Sequence, residues 1–336
     1  MRNILALFCW ILLAAPMTLR SETTPNLSVG MGWYASEKGR TIEDTFSVNF
    51  PDPDGVIRTS NIQTIIVTRL EGPTVDLGLD WELGAWEMGL GSSYAAPGSL
   101  KGEGFDRDYF RFEGPHYGLR GDRSGPTTGD SIYGSSKNTI LAQAPFDEEA
   151  SRLELLAHLG YVFDSGFALS LDASYEELSV ENRSPGYLVH NLYTGPELQI
   201  FYTPLSFDVN DFRHSLGTGM RQRWELGKMG IEAALNLGML WDRSRYRLYT
   251  RNSSLIWTTT GWYGSAGLHF DYSVGAGAKR IFTDLDVFRS SSIGYLDYSS
   301  IGAITFALRG YSIITSDIIR IDERRLTIRA GLQMPF

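Results

Sequence analysis

Apolar and polar residues alternate along several stretches of the chain. In "VDLGLDWEL", from Val75 to Leu83, every second residue is apolar, and the residues between them are Asp, Gly or Glu. The same alternation occurs in "IEAALNLGMLW", "WYGSAGLHFDY" and "LTIRAGLQMPF". A period of two predicts β-strands that have one apolar face and one polar face. The chain is therefore predicted to be all-β.

Two classes of β protein fit this alternation. In a secreted sandwich the apolar face packs on a second sheet, and in a membrane barrel it faces lipid. The apolar rows have the length of about 9 to 11 residues that a tilted strand needs to cross the hydrocarbon layer. Tryptophans lie on the apolar side of these strands at 81, 86, 241 and 262. Interfacial aromatic girdles are typical of barrels, so we favour a transmembrane barrel with these four indoles facing lipid.

The spacing of the strands predicts their number and direction. Tight connections are indicated at 84–85, 164–166, 227–230 and 275–279, and longer polar segments at 37–58, 97–150, 187–210, 251–256 and 299–320. Four short turns and five long loops join ten strands. In outer-membrane barrels the short turns are periplasmic and the long loops extracellular. The predicted fold is a ten-stranded antiparallel transmembrane β-barrel.

The first residues, "MRNILALFCWILLAAP", have the pattern of a secretory signal. Arg2 precedes an apolar run from Ile4 to Ala15 that is too short to span a bilayer as a helix. We therefore expect a signal peptide at 1–21 and the barrel at 22–336. The only cysteine, Cys9, lies in the signal, so the mature chain needs no disulfide. The last apolar row and Phe336 are expected to form the signal for the barrel-assembly machinery of a Gram-negative cell.

Charge and motifs exclude several functions. The formal net charge is −9, and without Arg2 and Arg20 the mature chain keeps 28 basic and 39 acidic residues, a net charge of −11. Such an acidic chain is not expected to bind nucleic acid. The sequence contains no Walker loop, no H-E-x-x-H, no G-x-S-x-G and no paired-cysteine metal site. No cofactor and no metal ion is therefore expected.

The stretch "GEGFDRDYF", residues 102–110, places Asp106 and Asp108 two positions apart between glycines and aromatics. Together with its surroundings it resembles the omptins, a family of ten-stranded outer-membrane endopeptidases. "RLEGPTVDLGLDWELGAWEMGLGSSYAAPGSLKGEGFDRDYF" is similar to the second and third strands of that family, followed by its Asp-x-Asp-aromatic motif. The resemblance continues through "LELLAHLGYVFDSGFALSLDASYEELSV" (fourth and fifth strands), "GAGAKRIFTDLDVFRSSS" (ninth) and "LTIRAGLQMPF" (closing strand). It implies an omptin-like barrel in which Asp106 and Asp108 are the acidic half of a catalytic site.

The second half of that site departs from the family pattern. The omptins have an Asp-x-His motif after the seventh strand, where this chain has "LWDRSRYRLYTRN" at 240–252. Asp242 takes the place of the family aspartate, but Ser244 stands where the histidine belongs. The family chemistry needs an imidazole to orient and deprotonate the attacking water. Efficient proteolysis is therefore not expected.

The segment that lacks the family histidine is rich in arginine. Arg243, Arg245 and Arg247 have the alternate spacing that directs side chains to one face of a strand. We expect them to face Asp106 and Asp108 and bind these carboxylates, lowering their pKa, in a structural ion network at the barrel mouth. Two alternatives stay open: some catalysis by the acids, or acids that meet only solvent.

Other polar side chains take the parity of the barrel interior. His158 and His269 are expected to form interior hydrogen bonds. Charged residues of the same parity are Asp76, Asp80, Glu82, Glu154, Asp172, Arg221, Arg223 and Glu225. Such an interior forms either a closed plug of ion pairs or a narrow wet path.

Three functional classes fit these observations. The first is a non-proteolytic barrel with a structural, adhesive or surface-binding role, the second a narrow porin-like pore, and the third an omptin-type endopeptidase with an altered site. An enzymatic role is not favoured. We expect an integral protein of the outer membrane whose partners are outer-membrane lipid, including lipopolysaccharide, and the barrel-assembly machinery.

Overall fold

A computed structural model describes residues 25–48, 58–112, 139–184, 187–190, 198–201, 205–248, 253–275, 279–296 and 318–335. The strands are β1 (Asn26–Val48), β2 (Arg58–Leu83), β3 (Trp86–Phe112), β4 (Thr139–Val162), β5 (Phe167–Ser184), β6 (Tyr187–His190), β7 (Leu198–Phe201), β8 (Leu205–Leu226), β9 (Met229–Leu248), β10 (Ser253–Ser273), β11 (Arg280–Leu296) and β12 (Ile318–Pro335). The predicted signal peptide, 1–21, and Phe336 lie outside the described residues. No helix in the described part of the chain is long and apolar enough to cross a membrane.

The ten long strands form a closed barrel. Their order is β3-β2-β1-β12-β11-β10-β9-β8-β5-β4, and β4 pairs back with β3. Every pairing is antiparallel, including that of the first strand with the last. The short strands β6 and β7 pair with each other, and β6 also pairs with β4, so they continue the β5–β8 pair. The predicted ten-stranded antiparallel barrel is confirmed.

Short turns lie at one end of the barrel. The connections β2–β3, β4–β5 and β8–β9 are the tight turns that the sequence predicts. Gly84 and Gly227 have φ of 64° and 68° in these turns, a region that favours glycine because it lacks a Cβ atom. The start of β1 and the end of β12 lie at the same end. We call this the turn end and the other the loop end.

An apolar band surrounds the outside of the barrel near the turn end. It consists of outward side chains such as Met31, Leu77, Leu237 and Leu332, which are 69%, 51%, 67% and 52% exposed. Trp86, Trp241 and Trp262 are exposed in the band, and Trp81 lies half-buried on the same outward row. The four tryptophans therefore point outward, as the alternation predicts.

Beyond the band, towards the loop end, the alternation reverses. In β4, Phe146 and Ala150 are buried inside the barrel, whereas Asp147 and Glu149 are exposed outside. β5, β8 and β12 behave in the same way, with apolar side chains inward and polar ones outward. A wall with polar side chains outside and a packed apolar interior follows the rule of soluble sheets.

This reversal corrects the predicted loops. The polar segments at 37–58, 97–150, 187–210, 251–256 and 299–320 contain the ends of long strands as well as connections. For example, β3 continues to Phe112 and β4 begins at Thr139. The outward charged residues conceal the strand pattern, because the apolar residues now lie on the other face.

Candidate functional site

A continuous set of ion pairs fills the middle of the lumen. We call it the central ion network. Its cations are Lys38, Arg40, Arg152, Arg213 and Arg325, and its anions are Glu154, Glu176, Asp211, Asp242 and Glu323. None of these side chains is more than 13% exposed. Five positive and five negative charges make the network neutral, which is the condition under which buried charges are tolerated.

Arg213 lies at the centre of this network. Its guanidinium donates to both carboxylate oxygens of Asp242, at 2.8 and 3.3 Å. It also contacts Glu323 at 2.6 Å and Glu176 at 3.4 Å. The carboxylate of Asp242, the candidate catalytic residue, is therefore bound in a two-pronged ion pair and is 1% exposed. Both oxygens of this carboxylate are therefore occupied by Arg213.

Ser244, at the position of the family histidine, is fully buried one inward position beyond Asp242. Its hydroxyl donates to Asp211 at 2.5 Å. Asp211 also accepts from Lys38 and Arg40 at 2.8 and 2.5 Å. Burial alone raises the pKa of Asp211, but the two cations outweigh it and hold that pKa below its usual range. Ser244 therefore completes the set of donors that holds the Asp211 carboxylate.

An apolar layer lies in the lumen towards the loop end. We call it the apolar plug, and its members include Ile66, Leu178, Val180, Val209, Ile319 and Ile321 together with the aromatic side chains of Phe146, Phe207, Tyr246 and Trp257. The rings of Phe146 and Tyr246 lie 4.6 and 4.5 Å from Phe207, and Trp257 lies 6.1 Å from Tyr246. These spacings are those of packed aromatic pairs. A substrate cleft is not present at this level in the described residues.

The candidate acids of β3 lie at the level of the plug. Asp106 takes the inward row, is half-buried, and pairs across the sheet with Ile66, a member of the plug. The backbone of Asp108 belongs to β3, but its side chain lies outside the described residues. Ile66 is also directly opposite Arg40, so Asp106 lies where the plug and the central ion network meet. Asp242 lies on β9, four strands away around the barrel.

The three arginines of β9 point the other way. Arg243, Arg245 and Arg247 are exposed on the outward row that includes Trp241, whereas Asp242 and Ser244 occupy the inward row. The prediction that they face Asp106 and Asp108 is therefore wrong. Alternate spacing placed them correctly on one face, but parity with Trp241 shows that this face is the outside of the wall. Their assignment as binding residues stays a prediction for an outer surface.

The turn-end half of the lumen is polar and partly open. It contains a cavity of about 260 Å³ lined by Ser174, Ser215, Asn236, His158, Asp172 and Asp286, among others. His269 contacts Asp284 at 2.5 Å and Asp271 at 3.4 Å. The interior positions predicted for His158 and His269 are confirmed. The described part of the chain contains no group of three or more His, Cys, Asp or Glu residues able to hold a metal ion.

Sequence reasoning missed most of the central ion network. It identified Glu154 and Asp242, but not Lys38, Arg152 or Arg213. A signal was present, because each of these is a charged residue at inward parity, for example Arg213 in "SFDVNDFRHSL". Their function as one unit was not visible, because the partners lie on six different strands.

Comparison with known proteins gives a fold and no sequence family. No family model matches the chain, and no curated protein is significantly similar to it. Among solved structures it is similar to the outer membrane protease OmpT from Escherichia coli, with a TM-score of 0.56 and 13% identity over 93% of this chain and 97% of that one. The translocator domain of the autotransporter NalP from Neisseria meningitidis gives a TM-score of 0.39 and 11% identity, over 99% and 96% of the two chains. The outer membrane protein OprG from Pseudomonas aeruginosa gives 0.34 and 10%, over 95% and 99%.

Of these three similarities, the one to OmpT has a TM-score above 0.5, and at 13% identity it shows the fold and does not carry an activity across. The proteins that share this architecture are outer-membrane barrels. The chain therefore has the fold of a ten-stranded outer-membrane β-barrel.

Proposed function

We propose that this protein is a transmembrane barrel of the outer membrane with a sealed lumen and a structural or surface-binding role. The observation that carries the proposal is the neutral central ion network, which crosses the lumen from β1 to β9 and is covered by the apolar plug. A pore needs a continuous wet path, and a protease needs an accessible base and cleft. Neither requirement is compatible with side chains this deeply buried.

The apolar band supports the membrane part of the proposal. Large exposed side chains such as Trp262, Leu237 and Met31 are stable against lipid and unfavourable against water. Contact with outer-membrane lipid is therefore assigned to the band. The surface-binding part is assigned to the outer wall beyond it, where charged residues replace apolar ones.

Conductance in planar bilayers tests the seal. The refolded protein is expected to show no steady open state, because ions have no path through the central ion network. Replacing Arg213 and Asp242 by alanine, together with Phe207→Ala and Trp257→Ala in the apolar plug, removes side chains from both layers and leaves the total charge unchanged, so this variant is expected to conduct more than the parent. Steady conductance by the parent protein would favour the narrow pore instead.

Cleavage of fluorogenic peptides with dibasic sites tests the remaining alternative, the omptin-type endopeptidase. We expect no efficient cleavage, because loss of a general base typically removes a factor of about 10²–10⁴ in rate. Alanine at Asp106 or Asp108 is expected to loosen the loop end without abolishing a measurable activity. Efficient cleavage after basic residues that disappears in these variants, but not in Asp147→Ala on the outer wall, would establish the endopeptidase.

A further inference from the structure

The outer wall beyond the apolar band has a basic face. On β9 to β12 the outward side chains in this region include Arg243, Arg245, Arg247, Arg289, Arg320 and Arg324, all exposed. Asp322 is the acidic side chain among the described outward residues of these four strands. The described part of the face therefore has a net charge of +5.

An acidic face lies on β3 to β5. Its outward acids are Glu103, Asp147, Glu149, Glu177 and Glu181. Lys101 lies 3.9 Å from Glu149, and Arg183 lies 2.9 Å from Glu181. These two cations leave a net charge of −3 on the described part of this face.

The two faces lie on opposite sides of the barrel at similar heights. In the closed strand order, β2 and β1 separate them on one side and β8 on the other. Arg243 follows Trp241 on its outward row, and Glu177 follows Tyr175. Both faces therefore begin directly above the apolar band.

Each face brings like charges together. On the basic face Arg289 is directly opposite Arg324 in the β11–β12 pair. On the acidic face Glu149 is directly opposite Glu181, and Glu103 is directly opposite Asp147. Like charges at opposed positions destabilise a sheet. Opposite charges offset part of this, since Arg324 is also opposite Glu37, Glu149 opposite Lys101 and Asp147 opposite Arg183. The net charge that remains on each face is better accommodated beside a surface of opposite sign.

We propose that these faces bind each other between copies of this chain, so that the basic face of one barrel contacts the acidic face of the next in the membrane plane. The proposal rests on the membrane insertion in the proposed function, because a bilayer orients all copies alike and sets both faces at one height. A two-fold axis along the membrane normal would place the basic face of one copy against the basic face of the other, or the acidic face against the acidic face. The contact is therefore heterologous, and it builds rows or rings of barrels.

Phosphates of an anionic lipid are the competing occupant of the basic face. Lipid phosphates would bind Arg289 and Arg324, but the acidic face would then lie against phosphates of the same charge. A second copy satisfies both faces at once. For this reason the structure favours a partner that itself has one basic face and one acidic face.

Energy transfer between labelled copies in phosphatidylcholine vesicles tests the proposal. The mature chain is cysteine-free, so Lys228→Cys in the β8–β9 turn gives one labelling site. Copies are expected to associate, with weaker association at high salt. Reversing the basic face (Arg245→Glu, Arg289→Glu and Arg324→Glu, from +5 to −1) or the acidic face (Glu149→Lys and Glu181→Lys, from −3 to +1) is expected to weaken association by about tenfold or more.

Mixing the two reversed variants gives the decisive result. Each alone carries two faces of one sign, but an equal mixture restores opposite signs at every contact, so association is expected to return. As a control away from both faces, Asp164→Lys in the β4–β5 turn, where Asp164 is exposed, is expected to have no effect. Heat-dependent mobility on gels and flotation with vesicles report folding and insertion for each variant.

The outcomes separate this proposal from the proposed function. Failure of the folded protein to insert into vesicles would contradict the membrane barrel itself. Insertion without association, or association that survives both reversals, would overturn the proposal of barrel-to-barrel contact. Association that requires added lipopolysaccharide and ignores the acidic-face variant would assign the basic face to lipid phosphates.

Discussion

Arg213 and Arg243 show how the side of the wall decides the role of a residue. They lie on neighbouring strands. Arg213 of β8 pairs with Asp242 of β9, and Arg243 of β9 pairs with Phe212 of β8. Arg213 points inward and makes three ion pairs. Arg243 points outward and is exposed. The two arginines therefore form a matched pair for measuring the cost of a buried network.

Replacement of Arg213 by methionine is expected to lower the free energy of unfolding by about 3–5 kcal/mol, because Asp242 and its neighbours keep uncompensated buried charge. Arg243→Met is expected to change it by no more than about 0.5 kcal/mol. Urea unfolding in detergent micelles, followed by tryptophan fluorescence, measures both. Equal effects in the two variants would mean that the central ion network does not stabilise the barrel.

Glu148 is a second residue whose environment changes its chemistry. It is 3% exposed and accepts a hydrogen bond from the backbone N–H of Arg69 at 3.0 Å. Its neighbours Asp147 and Glu149 are exposed on the outer wall, so this level lies beyond the apolar band. Burial raises the pKa of Glu148 from 4.5 to about 7, although Arg69, Arg40 and Thr68 act in the opposite direction.

This raised pKa predicts a pH dependence of stability. Between pH 4.5 and about 7 the folded state holds the Glu148 proton more tightly than the unfolded state does, so the free energy of unfolding falls as the pH rises. Glu148→Gln is expected to stabilise the barrel by up to about 3 kcal/mol at pH 8 and to have little effect at pH 4. Glu149→Gln is the exposed control. An equal pH dependence in parent and Glu148→Gln would contradict the assignment.

At the scale of the element, a long strand here combines two sheet environments. The turn-end part of β4 has apolar side chains outside, such as Leu155 and Leu159, and its loop-end part has them inside, as at Phe146 and Ala150. The same alternate residues point inward along the whole strand, but the apolar side chains change from the outward row to the inward row. The height at which it reverses marks the edge of the apolar band.

The closing strand β12 leads to a prediction at the same scale. Its outward row contains Leu326, Ile328 and Leu332, and the sequence continues that row to Met334 and Phe336. Phe336 lies outside the described residues, so this prediction rests on the alternation. Deleting Phe336 is expected to reduce the heat-modifiable, folded form in outer membranes, because the row is the expected signal for the assembly machinery. Unchanged yield and folding would remove that role, and truncation of Lys228 to alanine serves as a neutral control.

At the scale of the whole molecule, the lumen is divided along its axis. The turn-end half is polar and partly open, the middle is a neutral set of ion pairs, and the loop-end half is apolar. Burial of apolar groups at the loop end offsets the desolvation cost of the ion pairs beneath them. Both parts of the proposed function rest on this division, because a sealed lumen would leave the outer wall as the surface available to partners.

The sequence by itself determined the strands, their number and the outward face of the band. These properties depend on local alternation and on short glycine-containing turns, which neighbouring residues specify. Parity also placed His158, His269, Arg221 and Asp76 in the interior. The reversal beyond the band was not recognised, and polar strand ends were therefore predicted to be loops.

Only the tertiary structure decided which interior charges meet. Lys38 and Asp211 are 173 positions apart, and Arg213 and Glu323 are 110 apart, and their pairing depends on closure of the barrel and on the tilt of its strands. The same closure set Asp106 on β3 and Asp242 on β9, four strands apart, with Arg243, Arg245 and Arg247 on the outer face of β9. A local pattern specifies the face of a strand, but contacts across a lumen are specified by the geometry of all ten strands together.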